Sequence, residues 1–301
     1  MSKIFEIICD DGVCSECQKY AGKFNEIPEH IPPFHPNCKC KLLEVDIENE
    51  IQLISEISES NCNLDDVIKV KEKLYKLGYY IPEKFEDKTF TQYTNESLFN
   101  AIANFQKDMN LPVTKIIKPN DITVDAINNI FNTCNSDLIF KMKKDNEFQK
   151  LVSNILKNEG GYKPKDGIDR GGETNLGISE LWYPNEDIKN MNRLKASYFY
   201  YRDYYIGPKI YKLPLKLREI VFDNAVNQGQ PTAIKNLQKA LNVKVDGVIG
   251  PETLKAVKNR NFEELKMRLI EEITNIYKDI IKRDSKQIYH QNGWLNRVNR
   301  Y

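Results

Sequence analysis

Apolar residues recur at three-to-four spacing along most of the chain, the period of amphipathic helices. In LDDVIKVKEKLYKLGYY that spacing puts Val67, Val70, Leu74 and Leu77 on one face. NESLFNAIANFQKDMNL repeats the pattern with Leu98, Ile102, Phe105 and Met109 behind an Asn95 cap, and ITVDAINNIF closes this region. EFQKLVSNILKNEGGY predicts a helix that stops at Gly160-Gly161, because glycine suits a helix C-terminus. A glycine-rich loop with a short extended piece follows through ISELWY. Helical patterns then return over 187–204, 214–227 and 230–241, and FEELKMRLIEEITNIYKDIIKRD carries Leu265, Leu269, Ile273 and Ile276 on one face. The first 45 residues read as loop-rich and Pro-containing, and IPEHIPPFHPNC cannot form a helix. The expected fold class is mainly α and multidomain.

The pattern also repeats on a longer scale. AIANFQKDMNLPVTKIIKPNDITVDAI at 101–127 aligns with AIKNLQKALNVKVDGVIGPETLKAV at 233–257. Shared Gln, Pro and Thr positions go beyond what helix periodicity requires. In the second copy Asp246-Gly247 predicts a tight turn, and Gly250-Pro251-Glu252-Thr253 launches the next helix. Both copies resemble three-helix peptidoglycan-binding domains. The first departs from that signature, with Thr114-Lys115 in place of Asp-Gly and Lys118 in place of the glycine before Pro119.

Composition narrows the field. At 301 residues the chain is long enough for two or three cores, and 41% hydrophobic with 29% charged residues is ordinary for a globular protein. Lys plus Arg number 44 against 43 Asp plus Glu, so charge gives no case for a nucleic-acid or membrane partner. The N-terminus MSKIFEIICDDG lacks a cationic-then-apolar leader. The expectation is a protein made in a host cytoplasm that reaches its substrate through lysis or as part of a particle.

Five of the seven cysteines crowd the first forty residues. Cys14-x-x-Cys17 followed by His35-x-x-Cys38-x-Cys40 has the density of a structural zinc site of Cys14, Cys17, Cys38 and Cys40, with His35 as an alternative ligand. Disulfides, or neither, stay open, since the second pair is spaced C-x-C. DDGVCSECQKYAGK with IPPFHPNCKC resembles the terminal motif of phage Mu F-type head morphogenesis proteins, which implies phage particle proteins as partners.

The chemistry-bearing stretch starts at Asn158-Glu159-Gly160-Gly161-Tyr162. A carboxylate ending a helix beside two glycines stands where little bulk crowds an approaching polymer. Asp169 follows past a loop able to fold it across a cleft, and Thr174 offers a hydroxyl to orient water. Hydrolysis of a glycosidic bond needs such a set: an acid for the leaving oxygen, and a carboxylate that activates water or stabilises the cationic sugar. Read singly, Glu159 is a solvated helix end and Asp169 an Asx-turn residue; together they point to catalysis. Glu173 is a rival for the role of Asp169. Tyr162, Trp182, Tyr183 and the run Tyr198-Phe199-Tyr200-Tyr201 are sugar-stacking candidates, although one or two of the run should be core. Asp223 and Asn227, one helical turn apart, either line the cleft or belong to a buried hydrogen-bond network.

Glu, then Asp, then Thr at this spacing is similar to the order of active-site residues in phage-type lysozymes. More closely, the string from Glu159 through Asn175-Leu176-Gly177-Ile178 resembles the N-acetylmuramidases of glycoside hydrolase family 108. Phe222–Gly229 and Gly293–Val298 extend that resemblance over roughly 148–301. It implies a helical lysozyme-like lobe that cleaves the β-1,4 bond between N-acetylmuramic acid and N-acetylglucosamine in bacterial peptidoglycan, with Glu159 as acid. Asp169 and Thr174 assist, Tyr162, Asn175, Asp223 and Asn227 bind substrate, and catalysis uses no cofactor. The phage-type resemblance further implies an inverting reaction by an endolysin or virion-associated lysin. The domains expected are 1–48 (cysteine-rich), 50–135 (peptidoglycan-binding-like), 145–232 (catalytic) and 233–301 (a second wall-binding unit packed with the catalytic lobe). The alternative is a catalytically silent, wall-binding virion structural protein, separable by reducing-sugar release from purified wall.

Overall fold

The computed structural model describes residues 50–82, 90–165 and 172–301, together with the backbone of three strands at 3–9, 22–24 and 40–46. The chain divides into two compact units, 1–201 and 202–301. The stretch 145–232, read above as one lobe, is therefore shared between them.

The first unit opens with strands β1 (Lys3–Cys9), β2 (Gly22–Phe24) and β3 (Cys40–Asp46), which form an antiparallel sheet in the order β2-β1-β3. Cys9 lies opposite Cys40 in the β1–β3 register. The prolines between the strands in the sequence and the shortness of each strand hid them, because alternation is a weak signal in so short a segment.

Helices α1 (Leu64–Lys76), α2 (Glu96–Asp108) and α3 (Ile122–Thr133) follow. Each start is fixed by an Asn or Asp whose side chain accepts backbone N–H groups: Asn63, Asn95 and Asp121. The apolar stripes meet as their spacing requires, with Val67, Val70, Leu74, Leu77, Leu98, Ile102 and Phe105 all buried. Met109, expected on the same face, is only half-buried. Two buried charges tie down loops. Asp66 accepts from the N–H groups of Ile54 (2.7 Å) and Ser55 (3.0 Å), and the Lys71 ammonium donates to the carbonyls of Thr91 and Tyr93. Such groups are tolerated inside a core because they are paired.

Helices α4 (Ser136–Lys144) and α5 (Asn146–Asn158), the hairpin β4 (Thr174–Asn175) and β5 (Ile178–Ser179), and α6 (Arg193–Phe199) complete this unit. A π-helical run, Tyr200–Ile206, continues α6.

The second unit holds α7 (Leu215–Gln228), α8 (Gln230–Leu241), α9 (Pro251–Lys258), the long α10 (Phe262–Arg283) and α11 (Gln291–Val298). Leu265, Leu269, Ile273 and Tyr277 form the buried stripe of α10, and Ile276 lies at its edge.

The two sequence repeats share one device. Gln238 is buried, and its amide donates to Asp246 Oδ1 (2.7 Å), the Val248 carbonyl (3.0 Å) and Thr253 Oγ1 (3.3 Å), while its oxygen accepts from Gly247 N–H (2.7 Å). In the first copy Gln106 donates to Thr114 Oγ1, the Ile116 carbonyl and Thr123 Oγ1, and accepts from the N–H groups of Thr114 and Lys115. Thr114 thus takes over the acceptor role of Asp246. Lys115 occupies the left-handed conformation (φ +62°) that Gly247 adopts freely (φ +78°). The repeated Gln and Thr are therefore the staples of a turn.

Gln238→Ala should cost about 2–3 kcal/mol, since it strands several turn groups at once. Thermal unfolding of the full chain checks this, and an unchanged transition would remove the staple. The turns should also differ in acid. The Gln238 amide hydrogen bond holds the Asp246 carboxyl below its ordinary range. A lowered folded value means a contribution present above about pH 4 and lost as pH falls through that lowered value. Thr114 gives the first copy no such dependence.

Candidate active site

Glu159 closes α5. Its N–H still donates to the Ile155 carbonyl, but its own backbone is extended (φ −76°, ψ 138°), so the helix ends at Asn158. The two glycines do not form the left-handed cap expected of them, because neither has a positive φ. An added Cβ on Gly161 would meet open space, and one on Gly160 only the end of the Lys163 side chain. The two glycines thus add no bulk next to Glu159 in the chain.

The chain next runs beside the hairpin. Lys163 and Thr174 exchange two backbone hydrogen bonds, at 2.7 and 3.0 Å, and Thr174 pairs on its other side with Ser179. Two residues, Leu176 and Gly177, make the turn, both with positive φ (+50° and +75°). This is the type I′ geometry that matches strand twist. Glycine accepts it without cost, whereas leucine does not.

A single point shows why this turn matters. A Cβ placed on Gly177 would lie 2.2 Å from the Tyr200 hydroxyl and 3.1 Å from both Cγ and Cδ of Glu159. The Glu159 carboxyl and the Tyr200 hydroxyl therefore converge on the bare face of Gly177. Tyr200, only 1% exposed, also donates to the Leu176 carbonyl at 3.0 Å and holds the strained turn in place. Tyr200 begins the π-helical run, and such widened turns are common at functional sites.

Other residues singled out above fall into three groups. Thr174 and Asn175 belong to the hairpin, but Asn175 is buried and donates to the Lys189 carbonyl at 2.9 Å, so its amide also braces the loop behind the turn. Tyr162 donates to Glu173 Oε1 at 2.8 Å, a bond that raises its hydroxyl above the usual tyrosine range and engages the carboxylate that rivals Asp169. Trp182 is 68% exposed and Tyr162 37%, so both faces are open to a sugar, whereas Tyr183 stacks on Phe199 at 4.5 Å. The run Tyr198-Phe199-Tyr200-Tyr201 is buried throughout, further than expected.

Asp223 and Asn227 lie in the second unit, each hydrogen-bonded to a different partner. Asp223 accepts from Arg297 Nε at 2.7 Å, and Asn227 accepts from the Tyr277 hydroxyl at 2.8 Å. Tyr277 in turn stacks on Trp294 with centroids 4.8 Å apart. Asp223 is buried and Asn227 exposed, so the pair does not form one buried network, and both the cleft-lining and the hydrogen-bonding readings stay open. The Asp223–Arg297 bond is what ties Gly293–Val298 to Phe222–Gly229.

Asp169 lies outside the described residues, as do Cys14, Cys17, His35 and Cys38; of Cys40 only the strand backbone is described. No cluster of metal-ligand residues occurs among the described residues. None of their helices is long and apolar enough to cross a membrane.

With this geometry in view, comparison with known families is decisive for one segment. Residues 152–229, which include Glu159, the hairpin and Tyr200, match the glycosyl hydrolase 108 model. That segment is a glycosyl hydrolase 108 domain. On either side of the glycosyl hydrolase 108 domain, residues 232–299 match "Predicted Peptidoglycan domain" and 63–120 match "Putative peptidoglycan binding domain". The three matches together identify a peptidoglycan-hydrolysing enzyme. The solved structure of Brucella abortus SagA is 28% identical, covering 51% of this chain and 90% of its own, with a TM-score of 0.45. No match was found among curated proteins.

Tyr200 was read from the sequence only as a sugar-stacking candidate and Gly177 only as part of the family-like string, neither as a support for Glu159. Tyr200 was one of four adjacent aromatics, and Gly177 one of several loop glycines. A glycine following a residue with no turn preference, in an otherwise extended piece, is the signal that would have found the turn.

Proposed function

We propose that the protein is an N-acetylmuramidase that cleaves the β-1,4 bond between N-acetylmuramic acid and N-acetylglucosamine, with Glu159 as general acid. The observation that carries this reading is the seat of Glu159: a carboxyl at an open helix end, backed by a bare glycine and a buried tyrosine hydroxyl. A positioned acid needs that combination of fixed geometry behind and free access in front.

In the reaction Glu159 gives its proton to the glycosidic oxygen as the C1–O bond breaks. A water oxygen bonds to C1, and its proton passes to Asp169, which we assign as the second carboxylate, with Thr174 holding the water. Such inversion requires carboxyls about 6.5–9.5 Å apart, against about 5–5.5 Å for retention. The peptidoglycan-binding segments keep the enzyme on its insoluble substrate by raising effective concentration. Action as an endolysin or a particle-borne lysin accords with the N-terminal motif.

The test is product analysis. Digestion of purified wall should leave new reducing ends on N-acetylmuramic acid, read by borohydride reduction and mass spectrometry. Reducing ends on N-acetylglucosamine would replace the muramidase by a glucosaminidase, and no reducing ends would mean that the lobe is silent.

A further inference from the structure

The hairpin turn that touches Glu159 also borders a cleft of about 540 Å³, within the range of small-ligand sites. Its apolar wall comes from Met109, Leu111 and Ile122 of the first peptidoglycan-binding repeat and from Leu176 of the turn. Lys189 and Arg193 supply its cations, Asn110, Asn175 and Asn190 its neutral polar groups, and no carboxylate lines it among the described residues. Of the acids around it, Asp108 is engaged with Tyr79 and Lys143 and Asp121 with the start of α3, while Asp187 bonds the lining residue Asn190 and feels the charges of Lys195 and Lys189. Neither Lys189 nor Arg193 forms an ion pair among the described residues.

We propose that this cleft binds the acidic stem peptide of the wall strand. The proposal rests on the muramidase reading, because the sugar whose C1 is attacked is the one that carries the peptide. A stem must therefore leave the glycan within one sugar of Glu159, and the cleft lies across the Leu176-Gly177 turn from that carboxyl. Two cations over an apolar wall suit a short chain of small apolar residues with free carboxylates. Met109, Leu111 and Ile122 lie within the first repeat, so that repeat becomes a wall of the substrate site as well as an anchor.

The experiment uses the full chain and the double variant Lys189→Ala/Arg193→Ala on three substrates: intact wall, wall freed of phosphate polymers, and glycan strands freed of peptides by an amidase. On both peptide-bearing substrates the half-saturating concentration should rise about fivefold with little change in the maximal rate, the scale of two exposed charge contacts. On naked glycan the variant should match the parent. Equal loss on all three, loss confined to wall that keeps its phosphate polymers, or no loss anywhere would overturn the proposal. Calorimetry with a soluble stem tetrapeptide keeps the two readings apart, because it needs no turnover. Weaker binding to the variant supports the cleft even if no wall is cleaved, and equal or absent binding to both proteins overturns it.

Discussion

Replacing Glu159 by glutamine should lower wall hydrolysis by about 10²–10⁴-fold, the worth of a positioned general acid. The substitution keeps the side-chain volume that rests on Gly177 and removes the transferable proton. The fold and retention on insoluble wall should therefore be unchanged. The backbone bond from Glu159 to Ile155 does not depend on the carboxyl. Rates of reducing-sugar release, with circular dichroism as the control for folding, decide the matter. Activity within threefold of the parent would exclude Glu159 as the acid.

Gly177→Ala should be the second most damaging change, with a loss of about 10²-fold, the scale expected when a reacting group is misplaced by about 1 Å. Two penalties act at once. Alanine resists φ +75°, and its methyl would stand 2.2 Å from the Tyr200 hydroxyl and 3.1 Å from Glu159 Cγ and Cδ. Either the turn, the tyrosine or the acid must give way. Adding Tyr200→Phe removes the nearest of these atoms, so the double variant should recover part of the lost rate although the φ penalty remains. Near-normal activity of Gly177→Ala alone would show that the turn does not fix the acid.

Several features of this protein were legible from local pattern. The helices of the first repeat, the Asn95 cap and the α10 stripe follow from apolar spacing and short-range hydrogen bonding. Both are encoded within a turn or two of helix. The repeated Gln, Pro and Thr revealed two copies of one unit, and the structure supplies the reason in the stapled turn of each. Glu159 stood out because a helix-ending carboxylate beside two glycines is a local arrangement.

What the sequence misjudged was also local but contested. The helix stops one residue before the glycines, so that Glu159 leaves the helical path instead of pointing along it. Fold class was correct, yet the N-terminal sheet was absent from the reading, since strand pairing joins distant residues such as Lys3 and Asp46.

By itself, then, the sequence determined the helical architecture, the duplicated unit and the place of Glu159 as the candidate acid, all of which depend on residues near one another in the chain. Tertiary structure alone decided what stands behind Glu159. Tyr200 and Leu176 are 24 residues apart, and nothing in the periodicity of either segment announces their hydrogen bond. The same holds for the cleft, which joins Met109 to Arg193. Apolar spacing states which face of an element turns inward, and only packing chooses the partner it meets there.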